Sequence, residues 1–126
     1  MIFSKPLDTI SYLVAVRSRG DIKAALACYE PNATVVMEPG KLATGKDAIK
    51  AFIQATISLP IIFGNREIVE AEDIALHVSQ WALRPTDGPE IAGRTTDVLR
   101  RQPDGSWLLA IDNPWGSSLL ERKTAS

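Results

Sequence analysis

Residues 61–113 read IIFGNREIVEAEDIALHVSQWALRPTDGPEIAGRTTDVLRRQPDGSWLLAIDN, and this stretch decides the fold. Apolar and polar residues alternate along much of it with the period of two that is typical of half-buried β-strands. Turn-forming residues divide it, most clearly at Pro85-Thr86-Asp87-Gly88 and Pro103-Asp104-Gly105. We therefore predict four strands, over residues 61–71, 74–84, 91–101 and 107–113. Because short turns join them, consecutive strands should pair antiparallel.

Residues 1–60 have a different pattern, in which apolar residues recur every three to four positions, as on one face of a helix. One helix is predicted to end at Gly20, and Asp21 is a good N-cap for a second helix, which Pro31 terminates. A short strand over 33–37 and a third helix over about 45–59 follow. The predicted order is α-α-β-α-β-β-β-β, an α+β fold in which three helices cover one face of a curved antiparallel sheet of about five strands.

Length and composition predict a single domain over residues 1–116, followed by a polar tail over 117–126. The 126 residues are 45% hydrophobic and 23% charged, which is ordinary for a globular protein with one core. The formal net charge is −1 and no run of Lys or Arg occurs. Neither a nucleic acid nor a membrane surface is therefore expected as a partner.

The sequence also lacks the motifs of metal, cofactor and membrane proteins. Cys28 is the one cysteine and His77 the one histidine, which are too few soft ligands for a zinc site of the usual kind. No phosphate-binding loop or dinucleotide motif is present, so no cofactor is predicted. No apolar run approaches the roughly 20 residues of a membrane-spanning helix. The N-terminus lacks the pattern of a secretory signal, so a cytoplasmic location is expected.

Four segments together resemble the superfamily that contains nuclear transport factor 2, ketosteroid isomerase and the SnoaL-like polyketide cyclases. They are Gly20–Tyr29, Asn32–Val36, Gly45–Ile49 and Arg100–Trp107, in this order and spacing. The resemblance implies a cone-shaped sheet with a hydrophobic pocket at its open end, and often a dimer formed through the sheet. A homodimer is expected because the outer face should carry alternate apolar residues, among them Leu76, Val78, Leu108 and Ala110 if their parity is outward.

The resemblance also implies two carboxyl groups that face one apolar cavity. In ketosteroid isomerase a carboxylate base moves a proton next to a carbonyl, and a tyrosine and a protonated acid hydrogen-bond to the enolate oxygen. Glu38 stands where that base would stand, at the end of the first strand and before Pro39. Asp97 lies eight residues before Gly105, the offset of the isomerase acid. For Glu38, the alternative to a role in the cavity is a solvated glutamate in a turn. For Asp97, the alternative is a surface aspartate paired with a neighbouring arginine.

Six further residues are candidates for contacting a ligand: Tyr12, His77, Trp81, Asp112, Asn113 and Trp115. The resemblance implies a tyrosine on the first helix, but Leu13 holds the matching position, and one residue on a helix is a turn of about 100°. Because successive strand residues point to opposite faces, only one of Asp112 and Asn113 can face the cavity. For His77 and the two tryptophans, ordinary core packing is the alternative.

Other notable residues are interpreted as structural. Cys28 is predicted to be a small buried hydrophobe, and Tyr29 is interpreted as helix packing. Trp107 opens an apolar strand and is predicted to pack in the core or the dimer face. Three arginines could receive a carboxylate, although surface positions are favoured for each: Arg94, Arg100 and Arg101.

Three functions fit this reading. The first is a cofactor-free isomerase, cyclase or dehydratase that acts on a small hydrophobic carbonyl compound, with Glu38 as base and Asp97 as hydrogen-bond donor. The second is non-catalytic binding of a small apolar ligand, and the third is a dimerisation or association domain. A cavity shared by Glu38 and Asp97 would favour the first over the second, and a cavity filled by side chains would favour the third.

Overall fold

The computed structural model describes residues 3–121, in which helices pack on one face of a six-stranded sheet. The α-helices are α1 (Pro6–Ser18), α2 (Ile22–Leu26) and α3 (Lys46–Thr56), and a 3-10 helix covers Gly116–Glu121. The strands are β1 (Tyr29–Glu38), β2 (Lys41–Thr44), β3 (Ile61–Ala71), β4 (Ile74–Leu83), β5 (Ile91–Arg101) and β6 (Trp107–Asp112). The predicted α+β class is confirmed, with one strand more than expected.

The strand order is β2-β1-β6-β5-β4-β3, and the β1–β6 pair is parallel while the other neighbours are antiparallel. The prediction of a wholly antiparallel sheet is therefore wrong. Hairpin turns force antiparallel pairing only between strands that they join. The chain between β1 and β6 contains α3 and three strands, so no such turn constrains this pair.

The first half of the chain differs from its prediction in two places. β1 begins at Tyr29 instead of residue 33, so it contains Pro31. Pro31 is exposed and lies where the register between β1 and β6 is irregular. Because proline has no backbone N–H, this position suits it: no regular ladder of hydrogen bonds is interrupted there. After the turn at Pro39-Gly40 the chain doubles back as β2, with Glu38 opposite Lys41. The N-cap role of Asp21 is confirmed, because its Oδ1 accepts the Ala24 N–H at 3.1 Å.

The core lies between the helices and one face of the sheet. Ile10, Leu13 and Val16 of α1 and Ile49 and Ile53 of α3 are buried there. The covered face of the sheet contributes buried residues in neighbouring strands, including Val35, Ala75, Leu99 and Leu109. α1 is tied to β6 by Thr9, whose hydroxyl donates to the Trp107 carbonyl at 2.6 Å. Trp107 is 2% exposed, which confirms its predicted core position.

The predicted polar tail begins as ordered structure, since the 3-10 helix occupies its first residues and Gly116 packs against Arg94. Residues 122–126 of that tail lie outside the described residues. Within residues 3–121, no helix combines the length and apolarity needed to cross a membrane.

The opposite face of the sheet carries an apolar stripe, which we call the outer row. It consists of Val69, Leu76, Val98 and Ile111, which are paired in register across β3, β4, β5 and β6. Val69 is 61% exposed and Ile111 42%. Ala110 does not belong to this face: it is buried, because a bulge alters the register of β6, and Leu108 packs partly against the core.

Candidate active site

A cavity of about 230 Å³ lies between α1, α3 and the covered face of the sheet. Most of its lining is apolar, and includes Ile10, Leu13, Phe52, Phe63, Leu83 and Leu109. The polar and charged groups on its wall include Arg17, Tyr29, Arg66, His77, Asp97 and Asp112. A largely apolar cavity with a few converging polar groups is the usual form of a small-molecule site.

His77 and Asp97 form a buried pair on this wall. They are opposite each other in the β4–β5 ladder, and their side chains are almost fully buried. His77 Nδ1 lies 2.9 Å from Asp97 Oδ2, while Asp97 Oδ1 accepts the backbone N–H of Asn113 at 2.8 Å. Treating Asp97 as an ionised carboxylate, which can only accept, we assign the imidazole hydrogen to Nδ1, and this leaves a lone pair on Nε2. His77 Nε2 is buried and has no hydrogen-bond partner among the described residues.

Tyr29 and Asp112 form a second buried pair. The Tyr29 hydroxyl donates to Asp112 Oδ2 at 2.6 Å. Burial and, after it, the nearby negative charge of Asp97 raise the pKa of Asp112 to about 7, against the opposing effects of the Tyr29 hydrogen bond and the Arg17 charge. Burial, followed by the charge of Asp112, also raises the pKa of Tyr29 well above its ordinary value. Asp112 is therefore about half protonated near neutral pH, so it can donate a proton or accept one.

A β-bulge determines that Asp112 faces the cavity. Val98 is opposite Ile111, but the next residue, Leu99, is opposite Leu109, so Ala110 is the extra residue in β6. Leu109 faces the cavity, and strict alternation from it would turn Asp112 to the outer face. The extra residue reverses this parity, because it places Ile111 outside and Asp112 inside.

Two tryptophans form an aromatic wall at one side of the cavity. Trp81 and Trp115 meet edge to face, with ring centroids 5.9 Å apart. Their indole N–H groups donate to the carbonyls of Pro114 at 2.6 Å and of Met37 at 2.9 Å. Gly93 lies against the Trp81 ring, where an added Cβ would come within 2.6 Å of a ring carbon. The hydrogen bonds and this close approach fix the orientation of the wall.

Five predicted site residues line the cavity: His77, Trp81, Asp97, Asp112 and Trp115. Three do not: Glu38, Tyr12 and Asn113. Tyr12 packs on Phe3 with ring centroids 5.1 Å apart. The Asn113 side chain is held by Thr96 and Gly116, so it supports the end of β6.

The predicted partnership of Glu38 and Asp97 across one cavity is wrong. Glu38 is exposed at the β1–β2 turn. The register between β1 and β2 is irregular between Val36 and Glu38. Asp97 is also unsuited to the donor role that the resemblance implied, because protein groups already engage both of its oxygens, the Asn113 N–H at Oδ1 and His77 Nδ1 at Oδ2. The bases and acids of the cavity must therefore be sought among its other residues.

The cavity wall contains three ionisable residues that sequence reasoning missed: Arg17, Tyr29 and Arg66. Tyr29 was interpreted as helix packing, but it is the first residue of β1 because α2 ends at Leu26. The expected surface positions of Arg100 and Arg101 are confirmed, since these side chains pair with Glu30 and Asp73. Among residues 3–121, no three side chains of His, Cys, Asp or Glu are grouped as a metal site requires.

The raised pKa of Asp112 predicts a particular pH dependence of stability. Because the folded protein holds this proton more tightly than the unfolded chain, its contribution to stability is complete below the ordinary pKa of 3.8 and is lost as the pH rises to about 7. Asp112→Asn should remove a slope of up to about 1.4 kcal/mol per pH unit in this range. Urea unfolding of both proteins between pH 4 and 8 measures this slope.

The matched control for this experiment is Asp87→Asn, since Asp87 lies in an exposed turn. The control should keep the pH profile of the unmodified protein. If Asp112→Asn keeps that profile as well, Asp112 does not hold a raised pKa in the folded state.

Comparison with known proteins identifies relatives of the whole fold. No protein with a curated description matches the chain by sequence. A protein from Thiobacillus denitrificans, described as a calcium/calmodulin-dependent protein kinase type II association domain, is 16% identical with a TM-score of 0.74, over 90% of this chain and 95% of that one. A ketosteroid isomerase-like protein from Erwinia carotovora atroseptica is 21% identical with a TM-score of 0.66, over 85% and 89% of the two chains.

A further similar structure is a nuclear transport factor 2-like protein of unknown function from Pseudomonas putida. It is 21% identical with a TM-score of 0.71, over 84% of this chain and 80% of that one. Identities this low show a shared fold only. The model of the SnoaL-like domain family, however, matches residues 10–109, which is most of the sequence. The chain therefore belongs to the SnoaL-like domain family.

Proposed function

We propose that this protein is a cofactor-free acid–base enzyme that moves a proton next to the carbonyl of a small, mainly apolar molecule. The observation that carries the proposal is the state of His77, a residue that lines the cavity: Asp97 holds its Nδ1, and its Nε2 is buried without a hydrogen-bond partner among the described residues. A buried imidazole lone pair that no protein group uses is well suited to accept a proton from a bound molecule.

The second part of the machinery is Asp112. A carboxyl group with a pKa of about 7 is protonated in about half of the molecules at neutral pH. In that form it can hydrogen-bond to the carbonyl oxygen of the bound molecule and stabilise the negative charge that develops there. Tyr29 holds the Asp112 side chain in place, because the Tyr29 hydroxyl donates a hydrogen bond to Asp112 Oδ2.

The proposed reaction then follows in two steps. His77 Nε2 removes a proton from the carbon next to the carbonyl, and the electron pair of the C–H bond moves to form an enol or enolate whose oxygen is bonded to Asp112. The imidazolium that results is stabilised by the Asp97 carboxylate, as in other histidine–aspartate pairs. Return of the proton to a different carbon completes an isomerisation. Alternatively, the C–O bond of a hydroxyl group on the next carbon breaks, and this group leaves as water with the proton of the His77 imidazolium, which completes a dehydration.

Two further facts support this class of reaction. The chain belongs to a family of SnoaL-like domains, and one similar structure bears the name ketosteroid isomerase-like. The alternative of simple ligand binding needs the apolar cavity alone and gives no reason for the unpaired His77 nitrogen. The test is exchange of carbon-bound hydrogen for deuterium, followed by proton NMR, on phenyl-substituted alkyl ketones such as 1-phenyl-2-propanone in deuterium oxide. Ketones that bind but never exchange above the buffer rate would favour the binding alternative.

We also propose that the protein is a homodimer joined through the outer row. The outer row contains three exposed apolar side chains and the half-buried Val98, and an apolar row of this kind across four strands is unusual on a surface that stays in water. Light scattering at micromolar concentration should give about twice the 13.7 kDa mass of one chain. Leu76→Glu should shift the protein toward the monomer, because it places a charge in the middle of the row.

The control for the dimer experiment is Leu120→Glu, because Leu120 is 89% exposed on the 3-10 helix and lies outside the row. It should leave the mass unchanged. A monomer mass for the unmodified protein, or an unchanged mass for Leu76→Glu, would contradict the proposed interface.

A further inference from the structure

Two arginines on the cavity wall, Arg17 and Arg66, form no salt bridge with any residue that the structure describes. Arg17 projects from α1 and Arg66 from β3, and both are half-buried. By contrast, Arg84, Arg100 and Arg101 pair with carboxylates at the surface. Arg17 donates to the Thr56 hydroxyl at 2.8 Å, a bond that uses one of its five N–H donors. The remaining donors of both guanidinium groups are free for another acceptor.

The aspartates of the cavity do not supply that acceptor. Asp97 is engaged by His77 and by the Asn113 N–H, and Asp112 is engaged by Tyr29. Neither carboxylate forms a salt bridge with Arg17 or Arg66. A partly desolvated cation without a counter-ion is unfavourable, and a bound anion would remove this cost.

The position of Arg66 relates it to the proposed base. Arg66 is opposite Ser79 in the β3–β4 ladder, and His77 lies two residues from Ser79 on the same strand and the same face. Diagonal neighbours of this kind are roughly 7–8 Å apart. A ligand whose anionic group binds Arg66 can thus place a carbon near His77 with only a few bonds between that group and the carbon.

We infer that the molecule bound in this cavity carries a carboxylate, which Arg17 and Arg66 hold while its apolar body lies against the aromatic wall. Guanidinium groups suit this task because their N–H donors match the two oxygens of a carboxylate. The inference deepens the proposed function, since it specifies the substrate class as a small keto acid with an apolar, ring-bearing body. Recognition of the carboxylate, however, can be measured without any reaction.

The test compares two probes of nearly the same size and shape, 4-phenylbutanoate and 4-phenylbutanamide, neither of which is a ketone. Titration by calorimetry and by the fluorescence of Trp81 and Trp115 should show the acid binding about tenfold or more tightly than the amide. Arg66→Gln and Arg17→Gln should each weaken binding of the acid by about tenfold and leave binding of the amide nearly unchanged. Arg19→Gln is the matched control, because Arg19 is an exposed neighbour of Arg17 outside the cavity.

A third variant guards against a folding defect at position 17. Arg17→Lys keeps the positive charge and a donor for Thr56, and it should retain part of the preference for the acid. Equal affinity for acid and amide in the unmodified protein would overturn the inference. So would a preference that survives in the Arg17→Gln, Arg66→Gln double variant.

The outcome separates the inference from the proposed function. His77→Gln should lose deuterium exchange yet keep the preference for the carboxylate, because Arg17 and Arg66, and not position 77, hold the carboxylate in this inference. A preference for the acid without any exchange would support the carboxylate site and contradict the enzyme. Exchange on neutral ketones with no preference for the acid would support the enzyme and contradict the carboxylate site.

Discussion

His77→Gln is expected to lower the rate of deuterium exchange by about a hundredfold to ten-thousandfold, the contribution that a positioned general base usually makes. Glutamine is similar in length and can still donate an N–H to Asp97, so the fold of the β4–β5 ladder should survive. It has no basic lone pair, so it cannot accept the proton. The measurement is exchange by NMR at saturating ketone, together with the melting temperature of the variant.

Glu38→Gln is the informative control for this experiment. Sequence reasoning placed the base at Glu38, whereas the structure places this side chain outside the cavity. The Glu38 variant should therefore exchange at the rate of the unmodified protein. A large loss in Glu38→Gln combined with a small loss in His77→Gln would contradict the assignment of His77 as the base.

Trp107→Ala is expected to lower the free energy of unfolding by about 3–5 kcal/mol. The ring is 2% exposed within the core, and the Arg101 guanidinium lies 5.7 Å from its centroid. The backbone bonds of Trp107, to the Phe3 carbonyl and from the Thr9 hydroxyl, do not depend on the ring and should persist. The loss therefore measures packing, and urea or guanidinium unfolding would quantify it.

Trp107→Phe provides the comparison, because it keeps an aromatic ring and leaves a smaller cavity. It should cost clearly less than Trp107→Ala. A loss below about 1 kcal/mol for the alanine variant would show that the ring contributes little to the core, contrary to its burial.

The long strands were predictable because each combines period-two alternation with a distinct turn sequence at its end. β3, β4 and β5 agree with their predicted ranges within one residue. β2 was missed because it has four residues with one buried position, Ala43, which is too short to display a period. The parallel pairing of β1 and β6 has no local signal at all, because it depends on how distant segments meet.

The site was less predictable than the fold, for a related reason. His77 and Asp97 could be placed on strands, but their partnership depends on the register between β4 and β5. Asp112 reaches the cavity only through the bulge at Ala110, and nothing in the sequence WLLAID marks the extra residue. Arginine usually lies at the surface, so the sequence does not mark Arg17 and Arg66 as special. Only the folded structure shows that both line the cavity and that neither forms a salt bridge with a described residue.

The parallel pairing of β1 and β6 also constrains the order in which the parts of this protein can fold. The Thr9–Trp107 bond joins residues 98 positions apart, and β6 separates β1 from the β3–β4–β5 meander in the sheet. During synthesis the β3–β4–β5 meander can form by local pairing. Until β6 is present, the β1–β2 hairpin cannot join the meander in one sheet, and the helices have no complete sheet on which to pack. Such long-range contacts slow folding, since the closure of a large loop precedes the contacts that stabilise it. Emergence of β6 from the ribosome is thus the event that allows the two halves to join.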